Sequence, residues 1–260
     1  MPKSAILFFI ITFLCADIAT AEKSYVPQSS GVDSIAVLDS LSPLISFHPW
    51  TPLLVPKPHP SLVRLSENDF IQAARELGVE VATIKAVVHI EAGPTGKGFH
   101  DEGIPIINFD FTLFKKFSRQ RGIKLSSYKK SHPIVFASLN IKKYGSVQQA
   151  QYARLNCAQD IDSATALEAT FWGMFQIGGF NWKRCGCLSV NDFVEKMSTS
   201  EHEQLELFVR YIISRNLERY LQAKNWAGFA LQYNGKNYAR HSYHTRLAKA
   251  YRKYATKRKK

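Results

Sequence analysis

Two carboxylates in the first half of this 260-residue chain stand where acid–base chemistry is possible. Ile84, Val87 and Val88 recur at i, i+3 and i+4, the spacing of one helix face, and the next position on that face is Glu91. An acid thus continues an apolar stripe one turn before Gly93-Pro94 ends the helix. Partial burial and the negative end of the helix dipole both push such a carboxyl upward in pKa. A carboxylic acid that keeps its proton near neutral pH is a general acid. The plainer alternative is a solvated carboxylate at a frayed helix end.

The second carboxylate is Asp110. It closes Ile104–Phe109, a short strand whose Pro105 confines it to an edge or a strand start. Gly93, Gly96, Gly98 and Gly103, with Asp101-Glu102 at a turn, read as a small hairpin hanging from the Glu91 helix. One acid in an apolar setting and one in a polar setting suit glycoside hydrolysis. The first protonates the leaving oxygen, and the second activates water or stabilises the oxocarbenium-like centre. Asp101 and Glu102 compete for the second role, but their turn position favours plain solvated charge.

The elements that must position these residues are mainly helical. Ser66 with Asp69 is a capping signal, and Phe70, Ala73, Ala74 and Leu77 follow at helical spacing until Gly78. Further helices are predicted near 113–121, 147–155 and 163–175, and from Val190 to Met197 after Ser189 and Asp192. The longest is predicted over Glu201–Ala223, and the last two over Trp226–Leu231 and Tyr243–Tyr254. The hairpin after Glu91 is the only strand pattern.

Met1–Ala21 has the form of a cleavable export signal: Lys3, an apolar core from Ala5 to Cys15, and Ala19-Thr20-Ala21. The apolar run is short for a membrane span. Residues 22–60 are rich in Ser and Pro and read as an extended leader, leaving 61–260 as one domain. The expected product is exported, periplasmic or secreted, and monomeric.

The net charge of +13 and the basic end, Thr256-Lys257-Arg258-Lys259-Lys260, favour an anionic cell-wall or membrane surface as a partner, the wall being expected to be reached through the tail. Nucleic acid is disfavoured by the export signal. Three cysteines remain after processing: Cys157, Cys185 and Cys187. The odd count leaves at least one unpaired, and a bridge from Cys157 to one of the others is expected. No phosphate loop, metal-ligand spacing or cofactor motif stands out.

Three separated blocks resemble a known family. They are Ile84–Gly93 with Phe109-Asp110 downstream, Phe171-Trp172-Gly173-Met174-Phe175-Gln176-Ile177-Gly178-Gly179-Phe180-Asn181, and Trp226–Ala230 followed by Tyr233-Asn234-Gly235-Lys236-Asn237-Tyr238. Together, over residues 66–255, they resemble the N-acetylmuramidase domain of phage endolysins and bacterial wall enzymes, within the lysozyme-like superfamily. Soluble lytic transglycosylases share the same three-block logic.

The resemblance implies a mainly α, lysozyme-like fold with one small β-hairpin beside the catalytic cleft. It implies cleavage of the β-1,4 bond between N-acetylmuramic acid and N-acetylglucosamine in peptidoglycan glycan strands. Glu91 takes the catalytic acid position. Asp110 takes a position where the family usually has Glu in a Phe-Glu-Arg-His run; here the run is Phe109-Asp110-Phe111-Thr112. Asp is shorter by one methylene, about 1.5 Å. Gln176, Tyr233 and Asn234 are expected to bind substrate. Trp172 and Trp182 are candidate sugar-stacking rings, Trp172 with a competing place in the core. Two other readings stand beside hydrolysis: a lytic transglycosylase using Glu91 alone, and a non-catalytic peptidoglycan-binding protein.

Overall fold

The computed structural model describes residues 64–93 and 96–256, except the side chains of 237, 240 and 241. The expected export signal, the Ser/Pro-rich leader and the basic residues Lys257–Lys260 lie outside the described residues.

Ser66 and Asp69 form a reciprocal capping box that starts α1 (Glu67–Leu77), and Gly78 in the left-handed region ends it. A short turn leads into α2 (Val81–Glu91), which buries Ile84, Ala86 and Val87 and has Glu91 as its last residue. The hairpin follows as β1 (Phe99–Asp101) paired antiparallel with β2 (Ile104–Pro105).

The expected strand Ile104–Phe109 is divided between two sheets. Its second half, β3 (Ile107–Phe109), pairs instead with β4 (Thr170–Trp172), which pairs with β5 (Ile177–Gly178). The helix predicted over 163–175 is therefore corrected. It stops early, as α7 (Ser163–Glu168), and the chain turns into a strand. Thr170, Phe171 and Trp172 are β-branched or aromatic and fit a pleated, buried surface better than a helix. Gly173, at φ +69°, then makes the turn to β5.

Between β3 and β4 lie α3 (Phe111–Gln120), two single-turn helices, α4 (Pro133–Phe136) and α5 (Ile141–Tyr144), and α6 (Val147–Gln159). After β5 come α8 (Val190–Thr199), α9 (Glu201–Ser214), α10 (Glu218–Gln222), α11 (Trp226–Asn234) and α12 (Tyr243–Thr256). The single long helix predicted over Glu201–Ala223 is broken into α9 and α10. Asn216 takes φ +52°, a left-handed conformation that Asn tolerates and a helix interior does not. The described residues thus form a mainly helical domain with two small antiparallel sheets.

Its core stacks Phe175 on Phe208, ring centroids 4.2 Å apart, with Phe229 and Tyr233 stacked alongside. α12 lies against α2, which brings the last helix to the end of the Glu91 helix. The expected disulfide is absent: Cys157, Cys185 and Cys187 are all free. Cys157 sits beside the backbone of Ile134 and Val135, whereas Cys185 and Cys187 share surroundings with Arg210. None of the helices among the described residues is long and apolar enough to cross a membrane.

Candidate active site

Glu91 occupies the last position of α2, half-buried under the start of α12. Loss of water around its carboxyl is the dominant influence and pushes its pKa up to about 7. Two neighbours pull the other way. The Tyr243 hydroxyl donates to Glu91 Oε1, and the Arg246 guanidinium adds favourable charge. Tyr243 is itself buried, and both burial and the adjacent carboxylate hold its own pKa well above the usual phenol value. It therefore remains a donor at any pH at which the site is folded.

Asn234, the last residue of α11, lies beside the Tyr243 hydroxyl. Both atoms of its amide are buried and lack a well-formed hydrogen bond among the described residues. An amide so placed can accept from and donate to one incoming group at once. Tyr233, one residue earlier, feels the charge of Glu91 but is buried among aromatic rings. Its hydroxyl donates to the Phe175 carbonyl at 2.9 Å. Tyr233 thus pins the turn between β4 and β5 from below.

That turn carries Gln176. The residue takes φ +47°, and its Nε2 donates to Gly173 O at 2.9 Å and Ile106 O at 3.4 Å. Gly173 N donates to the same Ile106 carbonyl at 2.8 Å. Ile106 immediately precedes β3, whose last residue, Phe109, is followed by Asp110. A continuous path of backbone and side-chain bonds therefore runs from the Glu91 group through Tyr233 and the Gln176 turn to the strand bearing Asp110.

Asp110 does not join the Glu91 group by any hydrogen bond or ion pair among the described residues. It is the N-cap of α3, where Oδ1 accepts from Thr112 N at 2.7 Å and Leu113 N at 3.0 Å. Arg154 on α6 is close enough for the Asp110 charge to favour its guanidinium form, against the effect of burial. Asp101 and Glu102 are exposed at the hairpin turn, and Asp101 Oδ1 accepts from Glu102 N at 2.8 Å.

Trp172 is corrected as a stacking platform. It is 3% exposed, and its ring N–H donates to Leu167 O at 3.1 Å. Both faces belong to the core. Trp182 is only half-buried, with the Lys183 ammonium 5.2 Å from its ring centroid.

Several residues that hold the site were not singled out from sequence. Gln204 on α9 is fully buried between two loops. Its Oε1 accepts from Met174 N at 2.7 Å, and its Nε2 donates to Met197 O at 2.9 Å and Gly98 O at 3.3 Å. Glu201, one turn earlier, is 5% exposed and accepts from Gly98 N at 3.1 Å and Leu65 N at 3.2 Å, with Arg64 nearby. On the far side, Gln148 of α6 pairs with both Ile107 N and Ile107 O, and Gln151 accepts from Phe109 N at 3.1 Å. In the sequence Tyr243 marks only the start of the last predicted helix. A buried amide one place off an apolar stripe, as at Gln204, is the one signal that sequence offered.

The comparisons with known proteins point to one family. The N-acetylmuramidase family model matches residues 80–255, a span that holds Glu91, Asp110, Gln176 and the Asn234–Tyr243 corner. The chain is also similar to the Burkholderia AP3 phage endolysin, known from a crystal structure. The two are 36% identical over 74% of this chain and 72% of that one, with a TM-score of 0.64. No curated protein matches the chain. With more than half its length covered by the family model, the chain belongs to the N-acetylmuramidase family of glycoside hydrolases.

Proposed function

We propose that this protein hydrolyses the β-1,4 bond between N-acetylmuramic acid and N-acetylglucosamine in peptidoglycan, with Glu91 as general acid and Asp110 as second carboxylate. The observation that carries the reading is the Glu91 carboxyl at the end of α2, shielded from water so that its pKa is pushed up to about 7, with its Oε1 engaged by Tyr243. That engagement leaves Oε2 to carry the proton toward the glycosidic oxygen. Once the proton has gone, the Tyr243 hydroxyl and the Arg246 charge favour the carboxylate left behind. Gln176 Oε1 supplies an acceptor, its Nε2 being held by Gly173 O and Ile106 O, and the Asn234 amide beside Tyr243 supplies a donor and an acceptor for a sugar hydroxyl or N-acetyl group. Tyr233 supports this surface from beneath rather than contacting sugar.

One observation favours the transglycosylase alternative: Asp110 Oδ1 is already occupied by two backbone N–H groups. Asp110→Asn separates the two jobs, because Asn also caps helices well. Under the hydrolytic reading the variant folds normally and loses activity on purified peptidoglycan by about 10²–10⁴-fold. Unchanged turnover, with anhydromuramic rather than reducing ends in the product mass spectrum, would favour the one-acid mechanism. Glu91→Gln abolishes cleavage under either mechanism; a folded Glu91→Gln protein with near wild-type turnover rejects both.

The same reading takes the chain out of the cytoplasm through residues 1–21 and uses Lys257–Lys260 to approach an anionic wall. The composition of those segments supports it. Cell fractionation, and wall binding by a chain lacking Lys257–Lys260 at low and high salt, test the two points.

A further inference from the structure

Residues 111–159 contain no acid at all. They carry seven lysines (Lys115, Lys116, Lys124, Lys129, Lys130, Lys142, Lys143) and three arginines (Arg119, Arg121, Arg154). They run from α3 through α4 and α5 to α6, and all the lysines but Lys116 are exposed. Among the described residues outside this lobe, Lys85 is paired with Glu67, Lys196 with Asp192 and Lys224 with Glu80, and residues 219–260 form a second acid-free stretch. In this lobe Arg121 pairs with Glu168 and Arg154 lies near Asp110. None of the seven lysines forms an ion pair among the described residues. A surface shaped only for solubility mixes the two signs; a single-sign field attracts a partner of the opposite sign.

We propose that the α3–α5 lobe is a docking surface for the carboxylate-bearing strands of the substrate wall itself. This rests on the peptidoglycan reading above and extends it to the peptide side chains of the polymer. The lobe begins on the residue after Asp110, so a polymer crossing the cleft passes beside it. Exposed lysines are mobile point charges that suit scattered carboxylates, whereas arginine forks suit one fixed anion. A lipid surface fits less well. α4 and α5 are single turns, and Ile141 is the only large apolar side chain exposed in the lobe, too little for an amphipathic helix to enter a bilayer.

Two charge-matched quadruple variants of the full chain locate the effect. One changes Lys124, Lys129, Lys130 and Lys142 to Gln; the other changes Lys183, Lys249, Arg252 and Lys253, all exposed and outside the lobe. Sedimentation with intact peptidoglycan at low ionic strength should show the lobe variant binding about tenfold or more weakly. The control variant should change much less, and the difference should vanish at high salt, where screening is complete within a few Å. Amidating the carboxylates of the wall should erase the wild-type advantage, while turnover of a short peptide-free glycan stays the same in both variants. Equal losses in the two variants would mean that only net charge matters and overturn the proposal. So would undiminished wild-type binding to the amidated wall, or binding to phosphatidylglycerol vesicles that exceeds wall binding and depends on the lobe. Failure of the wild type to cleave any glycan would reject the functional reading instead, and the binding comparison distinguishes the two.

Discussion

At Glu91 a carboxyl is kept from water, so that its ionisation works against folding. Its pKa stands at about 7 against an ordinary value of 4.5. Between those pH values the unfolded chain binds fewer protons than the native state, so the Glu91 contribution to stability is complete below about 4.5 and is lost as pH rises through about 7. Glu91→Gln keeps the Tyr243 bond, since an amide oxygen also accepts, but never ionises. The variant should match wild type in Tm near pH 4 and exceed it by a few degrees at pH 8. A melting series across that range checks the sign; equal Tm at every pH would show that ionisation of the carboxyl carries no folding cost.

Tyr243→Phe removes the donor that favours the carboxylate. The alkaline limb of kcat should move to higher pH, and kcat should fall by about tenfold or more. A pH profile of the variant reads both, and a profile superimposable on wild type would remove Tyr243 from the mechanism. Glu91 was legible in the sequence because an acid interrupted an apolar repeat of fixed spacing. Tyr243 was not, because its partner lies 152 residues away and no local pattern marks a tertiary bond.

Elements set the distances that residues then use. Gln204 satisfies the backbone of two loops at once, Gly98 O in the segment after Glu91 and Met174 N in the turn before Gln176. There is no room for more: a Cβ on Gly98 would come within 2.3 Å of Gln204 Oε1, and one on Gly173 within 2.7 Å. Gln204→Leu fills much of the same volume but leaves Met174 N without its partner, at a cost of about 1–3 kcal/mol. The expected signature is a lower Tm with a raised KM on peptidoglycan, because the loops lose their common reference. A drop in Tm with unchanged kinetics would make Gln204 structural only.

Periodicity found most of the helices, and it failed in informative places. It extended the 163–175 helix through Thr170–Trp172 because apolar residues continue there without a break, and a buried strand and a buried helix look alike over so short a run. It merged α9 with α10 because the apolar face resumes on the far side of Asn216. The β3–β4 pairing escaped notice because it joins residues more than 60 positions apart.

Among the described residues, charge is paired around α1, α2, α8 and α10, and single-signed from α3 to α6 and again along α12. The sequence showed the excess at the extreme end most plainly, since four consecutive basic residues catch the eye. The acid-free stretch 111–159 is more diffuse, and its parts meet only where α4 and α5 pack on α6. What the three-block resemblance implied about overall architecture stands, as a mainly helical domain similar to the AP3 phage endolysin.

β3 lies at the rim of its sheet, with β4 on one side and the side chains of α6 on the other. Gln148 and Gln151 imitate a neighbouring strand there. An exposed rim with free N–H and C=O groups is a template onto which another chain can add. An enzyme drawn to a polymer surface by long-range attraction is locally concentrated, and there such templating would be most damaging. The two amides already occupy Ile107 N, Ile107 O and Phe109 N, the groups an added strand would need. Gln148→Leu with Gln151→Leu, shaped alike but unable to bond the rim, should leave a protein that folds at high dilution yet self-associates as concentration rises. Light scattering together with thioflavin binding would detect this, and a monodisperse double variant at high concentration would show that packing of α6 alone is enough to shield the rim.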